Sequence, residues 1–194
     1  MIRNRAGAAA PARFLCIRPP PAGLANEPNH AIMLKKGGVS MDIWTKLEQY
    51  REDGHVEAKE ALGGLPESLW ESYSAFANAE GGVILLGVGE NPDKSFRILE
   101  LLDPRELIDE FRAILGDPTK VSVNLLTEDD VQILQEDGKC IIAIFVPEAS
   151  PEQKPVFLAG DPWRHTYRRC GEADKRCTEE EVAAMLAGQT AKEV

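Results

Sequence analysis

The stretch from Leu65 to Val88 constrains the fold more tightly than any other part of the chain. Leu65-Pro66 opens a predicted helix, with Pro66 near the first turn, where its missing N–H has no intrahelical partner to lose. Leu69, Tyr73, Phe76 and Ala77 recur at helical spacing and form one apolar stripe. Gly81-Gly82 stops the helix and leads into Val83–Val88, an apolar run of the kind found in strands buried on both faces.

The remaining punctuation supplies the other elements. Asp42–Arg51 reads as a short helix with Asp42 as its cap and Ile43, Leu47 and Tyr50 on one side. His55–Ala61 reads as a strand, and residues 89–95 as a polar loop. Asp103-Pro104-Arg105-Glu106 has capping-box spacing and predicts a helix to Leu115, ended by Gly116-Asp117-Pro118. Val121–Leu126 predicts a strand. Val131–Gln135 and Cys140–Val146 flank Asp137-Gly138, a hairpin signal. Thr166–Cys170 predicts a last strand, and Thr178-Glu179-Glu180-Glu181 a helix through Leu186 with a second capping box. The expected class is α+β, a single domain with a mixed β-sheet that contains an antiparallel hairpin and is flanked by helices. A doubly wound nucleotide fold fits this order less well, and no internal repeat is present.

Residues 1–40 contain the Ala-rich stretch Ala6–Ala12 and Pro19-Pro20-Pro21 without sustained periodicity, and are expected to be disordered. Lys36-Gly37-Gly38-Val39-Ser40-Met41 also reads as a translated ribosome-binding site, which makes Met41 the expected native start. The domain is then expected over 41–188, with 189–194 frayed.

No apolar run approaches the ~20 residues that cross a bilayer, so no membrane partner is expected. Arg3, Arg5, Arg13 and Arg18 interrupt any secretory core, while an Arg-rich, acid-poor start leaves a transit peptide open. Cys16, Cys140, Cys170 and Cys177 form no Cys-x-x-Cys pair, and no His/Cys pair follows the last two. Structural thiols in a reduced, cytoplasmic protein are expected. Residues 1–40 hold six Lys/Arg and one acid, a charge of +5, while the remainder holds 16 Lys/Arg and 31 acids, a charge of −15. Such a body repels a polyanion unless its cations cluster or a metal bridges the contact.

Residues 52–88 and 145–186 resemble the Schlafen/AlbA-like domain family. The resemblance rests on Val56-Glu57-Ala58-Lys59-Glu60, on Ser74-Ala75-Phe76-Ala77-Asn78-Ala79-Glu80-Gly81-Gly82 and on Leu85-Leu86-Gly87-Val88. Further along it rests on Val146-Pro147, Lys154-Pro155-Val156-Phe157, Thr166-Tyr167-Arg168-Arg169 and Thr178-Glu179-Glu180-Glu181. The family includes bacterial DNA-binding and transcriptional-regulator domains, so the resemblance implies a nucleic-acid-binding domain. Relatives often continue into ATPase-like and winged-helix regions that this sequence does not contain, and ATP-dependent activity is not carried over. Animal Schlafen cores include RNA endonucleases with three carboxylates. Glu52 and Glu57 match the first two in type and spacing. At the third place the chain reads Gly89-Glu90 instead of an aspartate directly after Val88, which offers Glu90 with a longer side chain and opposite strand parity.

On a strand, His55, Glu57 and Lys59 share one face, each ~7 Å from the next. With Glu52 arriving from the preceding helix, converging carboxylates would attract Mg²⁺ or Mn²⁺, and Lys59 would stabilise charge on a phosphate. The alternative is a salt bridge between Glu57 and Lys59 or a neighbour. Ser74–Gly82 runs helix to strand, the reverse of a phosphate-binding loop, and reads instead as tight packing with Phe76 in the core and Asn78 bonded to backbone. Trp163-Arg164-His165-Thr166-Tyr167-Arg168-Arg169, with Lys175-Arg176, is the densest basic and aromatic segment. Arginine grips phosphate and an aromatic ring stacks on a base. Strand parity puts Tyr167 and Arg169 on one side and Thr166 and Arg168 on the other, and the competing reading is that these arginines neutralise local acids.

Three functions follow as expectations. The first is a regulatory nucleic-acid-binding module for DNA or RNA, contacting its ligand through Lys59, Arg164, Arg168, Arg169, Lys175 and Arg176 and needing no cofactor. The second is an endoribonuclease dependent on Mg²⁺ or Mn²⁺, with Glu52, Glu57 and Glu90 as ligands and Lys59 beside them. The third is a non-catalytic protein-interaction domain, with a homodimer as one form.

Overall fold

Five successive residues, Gly82–Leu86, are buried and form the central strand of the protein. A computed structural model describes residues 54–136 and 138–190. The expected helix over 42–51 and the expectations for residues 1–40 and 191–194 fall outside them.

The strands are β1 (Val56–Lys59), β2 (Gly82–Leu86), β3 (Val88–Glu90), β4 (Phe96–Ile98), β5 (Val131–Glu136), β6 (Lys139–Val146), β7 (Tyr167–Cys170) and β8 (Ala173–Arg176). The helices are α1 (Ser68–Asn78), α2 (Pro104–Leu115) and α3 (Glu179–Thr190). Four strands form a mixed sheet in the order β1-β2-β6-β5, with β1 and β2 parallel and the other neighbours antiparallel. β3–β4 and β7–β8 are separate antiparallel hairpins. The chain is an α+β domain, as its sequence predicts.

Strand alternation divides the interior in two. Ile84, Leu86, Ile142, Ile144 and Val146 face a larger core closed by Leu69, Tyr73 and Phe76 of α1 and Ile108, Phe111 and Leu115 of α2. Trp70 stacks on Phe111 with ring centroids 5.2 Å apart. Val56, Val83, Leu85, Ile141 and Ala143 face the other way, where Phe96 and Ile98 of β4 cover them. This two-sided cover explains the uninterrupted apolar run of β2.

Several boundaries differ from expectation. The run 83–88 is two strands, because Gly87 takes φ +83° and its N–H bonds to the Lys59 carbonyl, turning the chain into β3. Residues 89–95 are not all loop: Val88–Glu90 pairs with Phe96–Ile98 around a turn in which Lys94 N–H donates to the Asn91 carbonyl and Asn91 N–H to the Ser95 carbonyl. Val121–Leu126 is extended but is not a strand beyond the single bridge Val121↔Leu158. Its polar groups go elsewhere, the Val123 carbonyl accepting from the Tyr73 hydroxyl and the Leu125 N–H donating to it. The last helix runs to Thr190, past the expected Leu186, behind a cap in which Thr178 N–H donates to Glu181 at 2.8 Å. The Asp103 cap on Glu106 N–H at 3.1 Å and the end of α2 at Leu115 are as expected.

Candidate nucleic-acid interface and the charged network behind it

Pairing in register with Ile84 and Leu86, Glu57 and Lys59 stand on the helix side of edge strand β1. Alternation thus puts both side chains beside α1 and the β7–β8 hairpin. Lys59 Nζ donates to Glu57 Oε1 at 2.8 Å. The other oxygen, Oε2, accepts from Arg169 Nη1 at 2.9 Å. The same Nη1 donates to Asp174 Oδ1 at 2.7 Å, and the Ser72 hydroxyl donates to Asp174 Oδ2 at 2.6 Å. Arg169 also donates through Nε to the Gly54 carbonyl and through Nη2 to that of Val56, and its Cζ lies 4.9 Å from the Phe76 ring centroid. Two cations and two carboxylates are thereby matched. With Arg169 only 7% exposed and Asp174 11%, they form a mostly desolvated network.

Beneath this network, α1 carries a second set of polar staples. Asn78 Nδ2 donates to the carbonyls of Val156 and Tyr167, and Asn78 Oδ1 accepts from Val156 N–H. Ser74 donates to the Val156 carbonyl and accepts from Tyr167 N–H. Phe76 and Asn78 therefore act as the sequence predicts, one in the core and one bonded to backbone. Gly81 takes φ +80°, and a Cβ there would lie 2.8 Å from the Val146 carbonyl oxygen. A Cβ on Gly82 would collide with the Phe76 ring, so Gly81-Gly82 serves close helix–strand approach.

The basic segment divides by face. Tyr167↔Arg176 and Arg169↔Asp174 are cross-strand pairs on the inner face of the hairpin. Arg168↔Lys175 is a pair on the outer face. Arg168 makes an ion pair with Glu181 of α3 at 2.7 Å and remains 38% exposed. Arg164, in the turn before β7, is 80% exposed and lies 3.8 Å from Asp161. Lys175 and Arg176 are exposed, and so is Trp163 next to Arg164. Glu181 holds the Arg168 guanidinium above its usual range, and Thr178 N–H together with Arg168 holds the Glu181 carboxyl below its own. Burial pushes the Cys177 thiol up to about 11, which suits an unreactive structural cysteine.

Of the proposed metal ligands, Glu57 and Glu90 lie among the described residues. Glu52 lies outside them. Both oxygens of Glu57 are bonded by cations, and Glu90 sits on β3 with Lys94 at 3.9 Å. No group of three or more His, Cys, Asp or Glu side chains able to hold a metal occurs among the described residues. Sequence reading also passed over Asp174 and Ser72. Gly171-Glu172 was the available signal: a glycine first in a two-residue turn predicts a hairpin that returns Asp174 opposite Arg169.

A family model described as Schlafen, AlbA_2 matches residues 52–178. Among solved structures, the chain is similar to the N-terminal domain of a RecG-related protein of Nitrosomonas europaea, named for an ATP-dependent DNA helicase. Identity there is 31% over 69% of this chain and 90% of that one, with a TM-score of 0.48. It is also similar to the DIP2311 protein of Corynebacterium diphtheriae, at 26% identity over 71% of this chain, with a TM-score of 0.48. The match spans 27% of that protein. No curated protein sequence matches the chain.

Proposed function

Since the chain belongs to the Schlafen, AlbA_2 family, we propose that it is a nucleic-acid-binding module with a regulatory role and that the outer face of the β7–β8 hairpin is its contact surface. The observation that carries this reading is the register pair Arg168↔Lys175. Glu181 already offsets the charge of Arg168, so a phosphate would meet Lys175 directly and share the partly exposed Arg168 guanidinium with Glu181. Arg164, exposed in the turn before β7, adds a cation close by in the chain, and the exposed Trp163 beside it offers a ring for stacking. Lys59 and Arg169, engaged with Glu57 and Asp174, act by positioning the hairpin rather than by touching the ligand.

The test is a titration of labelled DNA and RNA, single-stranded and duplex, at about 0.05 M salt. The double variant Arg164→Glu, Lys175→Glu should bind about tenfold or more weakly than the parent, with its fold intact. Equal affinity of the two proteins, or no binding of any of the four ligands by the parent, ends the reading.

A further inference from the structure

We propose that the outer edge of β5 is a docking site for an extended peptide of a protein partner, one that presents an apolar anchor residue flanked by lysine or arginine. β5 ends the sheet order β1-β2-β6-β5. Its hairpin with β6 closes at Glu136↔Lys139 across two residues, so Gln132, Leu134 and Glu136 exchange backbone bonds with β6. Val131, Ile133 and Gln135 then point their N–H and C=O groups away from the sheet. Among the described residues nothing bonds to them. Natural edges are blunted by proline, by lysine or by a bulge, and Val131–Gln135 contains none of these.

Two further features select the occupant. A cavity of about 200 Å³ opens at the start of β5, with Phe111, Leu115, Leu126 and Val131 as its apolar walls and Arg112, Asn124, Thr127 and Glu128 as its polar ones, and has room for one large side chain with an apolar body. In strand addition, backbone pairing gives affinity and such a pocket gives specificity. Glu128, Asp129 and Asp130 form the turn that leads into the edge. These acids disfavour edge pairing with a second copy of the same acidic chain and favour a basic segment.

The test uses a fluorescent peptide of about ten residues, alternating leucine or valine with serine and carrying two terminal lysines. A control peptide carries glutamates in their place. Gln135→Pro removes an outward N–H without breaking a ladder bond to β6, and Asp129→Lys reverses a charge on an exposed side chain. Anisotropy should show binding of the lysine peptide, at least about tenfold weaker binding of the glutamate peptide, and a similar loss in both variants. Circular dichroism reports folding, and if Gln135→Pro unfolds, Asp129→Lys decides. Absence of binding, equal binding of the two peptides, unchanged affinity in a folded variant, or self-association of the parent through this edge each overturns the proposal.

Discussion

Arg169 directs its guanidinium at two carboxylates and two backbone carbonyls, and it is the residue on which the hairpin and β1 converge. Removing it leaves Glu57 with Lys59 alone and Asp174 with Ser72 alone, both in poorly solvated positions. Arg169→Ala should therefore lower the unfolding free energy by about 3 kcal/mol, the low end for a broken buried pair because Glu57 keeps some access to water. Arg169→Lys should recover only part of this, since an ammonium lacks the fork that reaches several acceptors at once. Urea denaturation of the three proteins measures it, and a loss below about 1 kcal/mol would place the network among solvated surface pairs. Tyr73 gives a second residue-scale prediction. Burial pushes its phenol up to about 12 from an ordinary value of 10.0. The folded state then holds its proton longer than the unfolded chain does. The stabilisation is complete below pH 10.0 and is lost as pH rises towards 12, at about 1.4 kcal/mol per unit. Tyr73→Phe should flatten this alkaline limb of a stability–pH curve, and a limb of unchanged slope would refute the assignment.

At the scale of elements, α1 decides how the hairpin is held. Its side chains Ser74 and Asn78 supply backbone partners to Val156 and Tyr167, segments that pair with no strand of the main sheet. Asn78→Ala takes the side-chain partner from the Tyr167 carbonyl and the Val156 N–H, while the Val156 carbonyl keeps Ser74, and should cost about 2–4 kcal/mol. Limited proteolysis should then cut first near Gly171-Glu172, at the hairpin tip, and a cleavage pattern identical to the parent's would show that other contacts hold β7. The elements legible in the sequence were those with local chemistry: the Asp103 cap, the turn ahead of Lys139, the apolar stripe of α1. The misread ones depend on distant partners. Val121–Leu126 has the composition of a strand, yet the Tyr73 hydroxyl takes bonds a neighbouring strand would supply. Glu57 and Arg169 were legible as charged residues on correct faces, but not as partners 112 positions apart. The Gly171-Glu172 turn signals that Asp174 returns opposite Arg169, but nothing local reports that Ser72 binds its other oxygen.

For the whole molecule, charge and its placement set the behaviour expected with a polyanion. The chain carries −10 overall, while Arg168 and Lys175 stand opposite each other on one face of one hairpin and Arg164 is exposed in the turn that precedes it. Local attraction and global repulsion have different ranges, and salt separates them. At about 0.1 M the Debye length is ~10 Å, so a bound strand feels the hairpin and little of the body. Affinity should then fall with rising salt, with a log–log slope between about −2 and −3 for duplex DNA, as expected for two or three displaced counterions. Near 0.01 M the Debye length reaches ~30 Å, comparable to the molecule, and the acidic body opposes the contact. The affinity plot should flatten or turn over there, giving a maximum at intermediate salt. Isothermal titrations from about 0.01 to 0.3 M measure the curve. A straight rise down to the lowest salt would mean that the body's charge is not felt at the hairpin, and affinity independent of salt throughout would remove the hairpin as the contact surface.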